Sequence, residues 1–422
     1  MVVLLTGGTG FIGGHVLRAL LDAGHTVRVA ARRPGGDIPG VTWVRGDFSR
    51  DVTPASWRDA VAGVDAVVNC VGIIREVPGQ RFVDLHERAP VALFSAAAAA
   101  GVRRLVNLSA LGADTGMEPY FATRRVADDK VLALGGVVLR PSFVWGPGDL
   151  SMRFFRMLAA LPVVPVVGDG LYPVQPIHVQ DVTRAIVAAV NGDFTGAFDL
   201  GGAGQITFGD LLGALRRRMG RGPGLRWHVP LGLVRFGAAL TSRTGLGPIT
   251  PDELAMLLRG STCDLSAFVA RFGFTPRGFR AGLATEAGAA REALVADLDL
   301  LAPVLRITVA FIWIATPIAT WFMWPRADSI ALAVGAGVPP ALAGPSVDIA
   351  CAFELVIAAA ILAGWRMREV GIVQILLVGT YTAILLFSGS PLWGHPFGPL
   401  TKNVPLIGAI LALMATRDRG TR

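Results

Sequence analysis

Short apolar runs alternate with longer amphipathic stretches over residues 1–146, and the period of the pattern changes between them. Val2–Leu5, Thr26–Ala31, Val41–Arg45, Ala66–Val71, Leu105–Leu108 and Val137–Leu139 read as strands. Helical patterns fill the intervals at Phe11–Ala23, around Trp57–Ala62, at Val91–Ala100 and from Tyr120 to Leu134. Short buried strands alternating with helices predict an α/β fold, a Rossmann doubly wound parallel sheet. From 150 to 295 the pattern loosens. Gly/Pro-rich loops at Leu161–Gly170, Gly220–Gly224 and Gly245–Pro251 separate helical patches at Phe208–Met219 and Pro251–Leu258. This stretch is expected to be a small α/β substrate-side part of a domain covering 1–295.

Beyond residue 300 the polar positions thin out. Ile307–Trp324 carries no charge, Ile349–Trp365 carries only Glu354, and Val370–Phe387 carries none. At a rise of ~1.5 Å per residue each covers most of a hydrocarbon core of ~30 Å. Val404–Ala415 is a shorter fourth candidate whose edge Lys402 and Asn403 can snorkel. Ser329–Gly344, interrupted by Pro339–Pro340, reads as a re-entrant or surface segment. An α-helical membrane domain of four spans is therefore expected over 300–416. Arg366 and Arg368 lie between the second and third spans, and Arg417, Arg419 and Arg422 follow the fourth. The positive-inside rule then puts the N-terminal domain and the C-terminus in the cytoplasm, on a multi-pass protein of the inner (plasma) membrane.

Composition sharpens this picture. Hydrophobic residues make up 52% and charged residues 17% of the 422 positions, against ~25% charge in ordinary soluble proteins. The net charge is +8 and the pI 10.3, yet only Lys130 and Lys402 are lysines and no nucleic-acid-binding signature accompanies the arginines. An anionic bilayer is the expected partner of that charge, not nucleic acid. The run Arg216–Arg218 reads as a solvated helix end or as a membrane-facing patch. Cys70, Cys263 and Cys351 are far apart and odd in number, which gives no disulfide framework. No metal-ligand spacing is present.

The chemistry begins at Thr6-Gly7-Gly8-Thr9-Gly10-Phe11-Ile12-Gly13, between the first strand and the first helix. Gly7, Gly10 and Gly13 permit a sharp turn, close approach to a pyrophosphate and tight helix–strand packing, and the helix N-terminus offers unpaired N–H groups. An NAD-selective site places an acid after the second strand, whereas Ala30-Ala31-Arg32-Arg33 has none. Two guanidiniums suit a 2′-phosphate, so NADP(H) is expected over NAD(H). Asp47 follows the third strand, facing the adenine or capping the next turn. Asn69-Cys70-Val71-Gly72 ends the fourth, where the chain must pass the ribose; Cys70 reads as a small core residue.

These motifs resemble the extended and atypical short-chain dehydrogenases/reductases. The likeness extends through Ser109 in Leu-Val-Asn-Leu-Ser, Tyr120, Arg140-Pro141, Trp145-Gly146-Pro147-Gly148, Pro176-Ile-His-Val-Gln-Asp-Val182 and Phe198-Asp-Leu-Gly-Gly202. It covers about residues 1–290 and is most similar to the branch that includes the NADPH-binding accessory subunit of respiratory complex I. Residues 300–416 resemble the four-helix DoxX-like membrane domain. The resemblance implies Thr6, Gly7, Gly10, Phe11, Ile12, Gly13, Arg32, Arg33, Asp47, Asn69 and Gly72 as cofactor-binding residues, and Ser109 and Tyr120 as catalytic. It also implies Asp181 as the N-cap of a helix over Val182–Val190, with His178 as a core or lid contact.

Where the family has a lysine four residues after the tyrosine, this chain has Arg124. A phenol of pKa about 10 needs such a cation to exchange protons near neutrality. Arginine carries the charge and can hold ribose hydroxyls, but its planar fork is larger and releases no proton. Two readings follow: a membrane-anchored reductase or dehydrogenase of a lipophilic carbonyl, quinone or lipid-linked substrate, or a non-catalytic nucleotide-binding protein of a membrane complex. In the membrane part, Glu354 reads either as a shallow carboxylate near Asp348 or as a proton or lipid-substrate site, with Arg306 and His395 as candidate partners.

Overall fold

The computed structural model describes residues 1–242, 249–387 and 401–416. The chain forms two compact units, Met1–Ala293 and Leu294–Arg422. The first is built on a seven-stranded sheet of β1 (Val2–Thr6), β2 (Thr26–Ala31), β3 (Val41–Arg45), β4 (Ala66–Asn69), β5 (Arg104–Leu108), β6 (Val137–Pro141) and β7 (Gly196–Leu200). Its order is β7-β6-β5-β4-β1-β2-β3, and every neighbouring pair is parallel. The order reverses between β1 and β4, so the crevice beyond the carboxyl ends of these two strands is where a doubly wound sheet binds its ligand.

Both faces of the sheet are buried, as its nearly continuous apolar strands require. Val3 and Leu5 of β1 face one core with α1 (Phe11–Asp22) and α6 (Val179–Asn191), through Val16, Leu20, Val182 and Ile186. Leu4, one residue out of phase, faces the other core. There Trp57, Leu93, Phe94 and Val131 come from α2 (Pro54–Val61), α3 (Ala89–Ala99) and α4 (Pro119–Ala133). Substrate-side elements follow β6: α5 (Leu150–Ala160), α7 (Phe208–Arg218) and the parallel ribbons Val163–Val167 and Leu225–Val229. The helices α8 (Leu231–Ser242) and α9 (Pro251–Arg259) complete this part.

The structure reassigns one cap. α6 begins at Val179, and His178 is its N-cap, its Nδ1 accepting from the N–H of Gln180 at 3.3 Å. Asp181 lies inside the helix and instead takes Nε of Arg277 at 3.0 Å and its Nη2 at 3.1 Å. An arginine reaching in from a distant loop outcompetes the local backbone for that carboxylate, because the bond is charge-assisted at both ends.

The second unit contains α10 (Ala289–Ile318, begun in the first unit and continued by a π-turn at Ala319–Met323), α11 (Arg326–Gly335), α12 (Pro340–Leu362), α13 (Met367–Phe387) and α14 (Asn403–Ala415). Three apolar helical segments, Ala289–Met323, Pro340–Leu362 and Met367–Leu386, are long enough to cross a membrane; α14, of 13 residues, is shorter. The segment expected as one interrupted stretch at Ser329–Gly344 is divided. Its first half belongs to α11, and Pro340 opens α12, where a proline at the first turn sacrifices no helical N–H bond. Glu354 is buried within α12, and its Oε2 has no hydrogen-bond partner among the described residues. His395, Arg417, Arg419 and Arg422 lie outside the described residues.

Candidate functional site

The turn after β1 is drawn tight against the end of β4. Gly7 has φ +77°, and a Cβ there would sit 2.7 Å from the carbonyl carbon of Cys70. A Cβ on Gly13 would lie 2.0 Å from the carbonyl oxygen of Gly7. The N–H of Gly10 closes the turn onto that oxygen at 2.9 Å, and α1 starts without a side-chain cap or an acid in its first turn. Its first N–H groups therefore face the crevice unopposed, which is the geometry a pyrophosphate needs. These residues fit a dinucleotide.

Next to this turn a buried hydrogen-bond chain crosses the ends of four strands. The hydroxyl of Thr6 donates to Oδ1 of Asn69 at 2.7 Å, and Nδ2 of Asn69 donates to Oδ1 of Asn107 at 2.8 Å. Nδ2 of Asn107 donates to Oδ1 of Asp128 at 2.9 Å, whose Oδ2 accepts from the Ser109 hydroxyl at 2.8 Å and from Nε of Arg140 at 3.2 Å. Asp128 has no exposed surface, and burial pushes its carboxyl above the usual range while Ser109, Arg140 and Asn107 pull it back. Since the Ser109 proton is committed to Asp128, the lone pairs of Oγ are what this serine offers to the crevice.

Tyr120, Arg124 and Asp128 fall at successive turns of α4, on its buried face. The Arg124 guanidinium lies 4.8 Å from the centroid of the Tyr120 ring and donates from Nη1 to the carbonyl of Leu108 at 3.3 Å. It also fills the space that Gly72 leaves open: a Cβ on Gly72 would come within 2.2 Å of Nη2. Tyr120 packs edge-on against Phe82 and His86. Burial, reinforced by Arg124, drives the His86 imidazole down to about 2, so it stays neutral and its Nε2 accepts from the N–H of Ile73 at 3.1 Å.

Phe11, Ile12, Gly72, Ser109, Tyr120 and Arg124 all line one cavity of about 740 Å³. Its far end is apolar, walled by Phe143, Phe154, Phe155, Leu158, Phe208 and Leu211 among others. Asp149 stands on the wall as the N-cap of α5, accepting from the N–H of Ser151 at 2.8 Å and of Met152 at 3.1 Å. Burial raises its carboxyl to about 6 against the pull of those N–H groups and Arg156. Across the mouth, Arg75 pairs with Glu253 of α9 at 2.8 Å, while Arg259 donates to the hydroxyl of Thr115 at 2.6 Å. Cys70 also lines the cavity, but burial pushes its thiol up to about 12, which removes it as a nucleophile.

Most of the expected site residues thus gather at the cavity or at the turn and buried chain beside it. Arg32, Arg33 and Asp47 do not line it; they lie beyond β2 and β3, with both arginines exposed. Burial opposes the charge of Asp47, but the Ser49 hydroxyl and N–H, with Arg32 and Arg50 nearby, hold its carboxyl below the usual range. Sequence reasoning gave no role to Asp128, Asn107, His86 as an acceptor, or Asp149. A signal for Asp128 was present, since it continues the four-residue spacing of Tyr120 and Arg124.

Residues 3–201 match the NAD dependent epimerase/dehydratase family, and residues 310–411 match the DoxX-like family. A 2-alkyl-3-oxoalkanoate reductase of Stenotrophomonas maltophilia is 32% identical over 243 residues, 50% of this chain and 72% of that protein. A ceramide reductase of Caulobacter vibrioides is 28% identical, over 58% of this chain and 79% of that one. Subunit 9 of the mouse mitochondrial NADH dehydrogenase 1 alpha subcomplex is 29% identical over 45% of this chain and 53% of its own. The chain belongs to the NAD dependent epimerase/dehydratase family and carries a DoxX-like helical region fused behind it. MoeE5 in complex with UDP-glucuronic acid and NAD shares the fold, with TM-score 0.54 and 24% identity over 69% of this chain and all of that one.

The expected preference for NADP(H) is corrected here. Solved structures that share this fold, MoeE5, a dTDP-glucose 4,6-dehydratase and a UDP-glucuronic acid 4-epimerase, hold NAD. The arginine pair after β2 misled because the sequence shows no acid on its own strand. In the structure both arginines are exposed and neither lines the cavity. The fold is that of NAD(H)-dependent oxidoreductases.

Proposed function

We propose that Met1–Ala293 is an NAD(H)-dependent reductase or dehydrogenase acting on the carbonyl or hydroxyl of a lipophilic, lipid-like substrate. The observation that carries this reading is the single cavity that joins Phe11 and Ile12 of the glycine turn to Ser109, Tyr120 and Arg124 and then runs into an apolar end. Thr6, Gly7, Gly10, Gly13, Asn69 and Gly72 hold or shape the nucleotide site, with Asp47 at its outer edge. Bound NAD(H) supplies or accepts the hydride. Tyr120 exchanges the substrate's proton at Oη, and Ser109 Oγ, its own proton held by Asp128, accepts from that hydroxyl. Arg124 keeps a positive charge beside the phenol and faces the ribose. Two relatives bear names of reductases, of an oxoalkanoate and of ceramide, in keeping with a long apolar substrate.

The membrane unit anchors this activity. Arg366, before α13, and Arg368, in its first turn, carry positive charge between two spans, which supports a cytoplasmic location for that end and for the N-terminal unit, in the inner membrane. Arg124 favours a second reading, nucleotide binding without turnover within a membrane complex, which the likeness to the mouse complex I subunit accompanies. One experiment separates the two. Full-length protein in lipid nanodiscs is loaded with NADH, and its reduced-nicotinamide absorbance is followed as 3-oxoacyl lipids, quinones and aldehydes are added. Oxidation that vanishes in Tyr120→Phe is expected. Tight NADH binding with no oxidation in either wild type or Arg124→Lys would overturn the enzymatic reading and leave the binding one.

A further inference from the structure

The substrate-side part carries an exposed apolar face that the catalytic reading does not use. On α8, Leu233, Phe236 and Leu240 recur at helical spacing and are all exposed, Phe236 by 67%. The preceding strand Leu225–Val229 adds Leu225 and Trp227, exposed by 72% and 53%. Singly exposed apolar side chains are ordinary, but five within one strand–helix unit form a patch that marks an interaction surface.

The charge around this patch is one-signed. Residues 216–240 contain six arginines and no Asp or Glu. Three of the six are committed to the fold. Arg216 donates to the carbonyls of Ala159, Leu161 and Gly222, Arg221 donates to that of Ala160 at 2.9 Å, and Arg218 pairs with Glu292 at 2.7 Å. The run Arg216–Arg218 is therefore mainly a staple rather than a solvated helix end. Arg217, Arg226 and Arg235 are exposed, with Arg226 in a loose pair with Asp210 at 3.5 Å. Large apolar side chains, a tryptophan and arginines interleaved on one surface are the composition of segments that lie in the headgroup layer of an anionic membrane.

The helix has a second face. Val234 of α8 and Val229, at the end of the preceding strand, line the 740 Å³ cavity, while Trp227, Leu233 and Phe236 do not line it and are exposed. The patch therefore adjoins one wall of the cavity. From this juxtaposition we infer that Leu225–Leu240 is a lipid-docking surface that inserts shallowly into an anionic bilayer. An apolar substrate can then pass from lipid into the cavity without crossing water. Because the chain carries its own membrane helices, docking is intramolecular, and modest attraction suffices at the high effective concentration that tethering gives. The inference needs no hydride transfer and stands or falls separately from it.

The test uses full-length protein in liposomes of phosphatidylcholine with phosphatidylglycerol. An environment-sensitive fluorophore is attached at Leu233→Cys and, as an exposed control on α2, at Ser56→Cys; identically treated wild type supplies the background from native cysteines. Emission at 233 is expected to be quenched by lipids carrying a nitroxide on the acyl chain and spared by aqueous iodide, with the reverse at 56. Arg217→Ser and Arg235→Ser are each expected to weaken docking about fivefold, the equivalent of ~1 kcal/mol per arginine. Iodide quenching at 233 equal to that at 56 overturns the inference. Protection from both quenchers also overturns it, since the patch is then covered by protein.

Discussion

Asp128→Asn removes one charge from the centre of the buried chain, and the geometry says why an isosteric amide cannot fill the gap. Asp128 accepts three hydrogen bonds, from Asn107, Ser109 and Arg140. If the new carbonyl keeps Ser109 and Arg140, the new NH₂ faces the NH₂ of Asn107. Flipping Asn107 sets its NH₂ against that of Asn69, and flipping Asn69 strands the N–H of Val71, now held by Asn69 Oδ1 at 3.1 Å. A backbone N–H cannot reverse, so one donor loses its partner whatever the arrangement, a buried side-chain N–H or the half-buried N–H of Val71. That costs about 1–3 kcal/mol, and exchanging the ionic bond to Arg140 for a neutral one costs a further ~1–2. Relief of the buried charge offsets part of this, as does Asp114, 3.8 Å from Arg140. The net is a loss of about 3 kcal/mol, or roughly 6–12 °C in the unfolding midpoint of this unit. The assay is thermal unfolding of the full-length protein, with Asp129→Asn as control because Asp129 is the exposed neighbour on the same helix. A shift for Asp128→Asn no larger than the control's ±0.5 kcal/mol would refute the claim that the chain has a fixed direction.

Three further outcomes follow from the same geometry. Gly13→Ala abolishes NADH binding, because its Cβ meets the Gly7 carbonyl oxygen at 2.0 Å; Gly14→Ala, with its nearest neighbour at 3.7 Å, leaves binding within twofold by fluorescence titration, roughly the effect of a tolerated glycine replacement. Asp149 has its folded pKa raised from 3.8 to about 6 by burial, so its native form holds a proton that the unfolded chain releases between those values. Its contribution is complete below pH ~4 and is lost as pH rises to ~6, a change of about 3 kcal/mol that Asp149→Asn removes in denaturant midpoints measured against pH. Gly72→Ala displaces only the guanidinium end of Arg124. It is expected to weaken NADH binding with little change in stability, and adding Arg124→Lys, which frees the space, is expected to recover most of the binding.

The sheet was legible because the inner strands are largely buried and read as short, mostly apolar runs between helical patterns. The edge strand β7 was not read as a strand from Gly196-Ala-Phe-Asp-Leu200, where a glycine and an aspartate interrupt the pattern. The nucleotide turn was legible because close backbone approach leaves glycine as its signature in the sequence. Asp128 was not, because an acid's inward orientation on α4 is decided by Asn107, Ser109 and Arg140, which belong to β5, its end and β6. Local spacing marks the face of a helix but not which face meets a polar partner. Arg32 and Arg33 show the opposite failure: their pattern was clear, but both side chains are exposed and neither reaches the cavity.

Arg124 and Gly72 belong to one adaptation. A guanidinium is broader than an ammonium and needs a planar slot, and the missing Cβ of Gly72 provides it at the end of β4. Within that slot Arg124 is anchored by the Leu108 carbonyl and stacked on Tyr120, so its charge is fixed in place instead of sweeping the cavity. A fixed cation beside the phenol keeps a positive charge on that side of the cavity without becoming a proton donor itself. On the proposed reading the proton moves at Tyr120, while Ser109, its own proton held by Asp128, only accepts from the substrate hydroxyl. Binding alone would not require a serine with free lone pairs in the same cavity as Tyr120, nor an apolar chamber beyond it. Those two features, rather than the identity of residue 124, are what favour turnover over storage of the nucleotide.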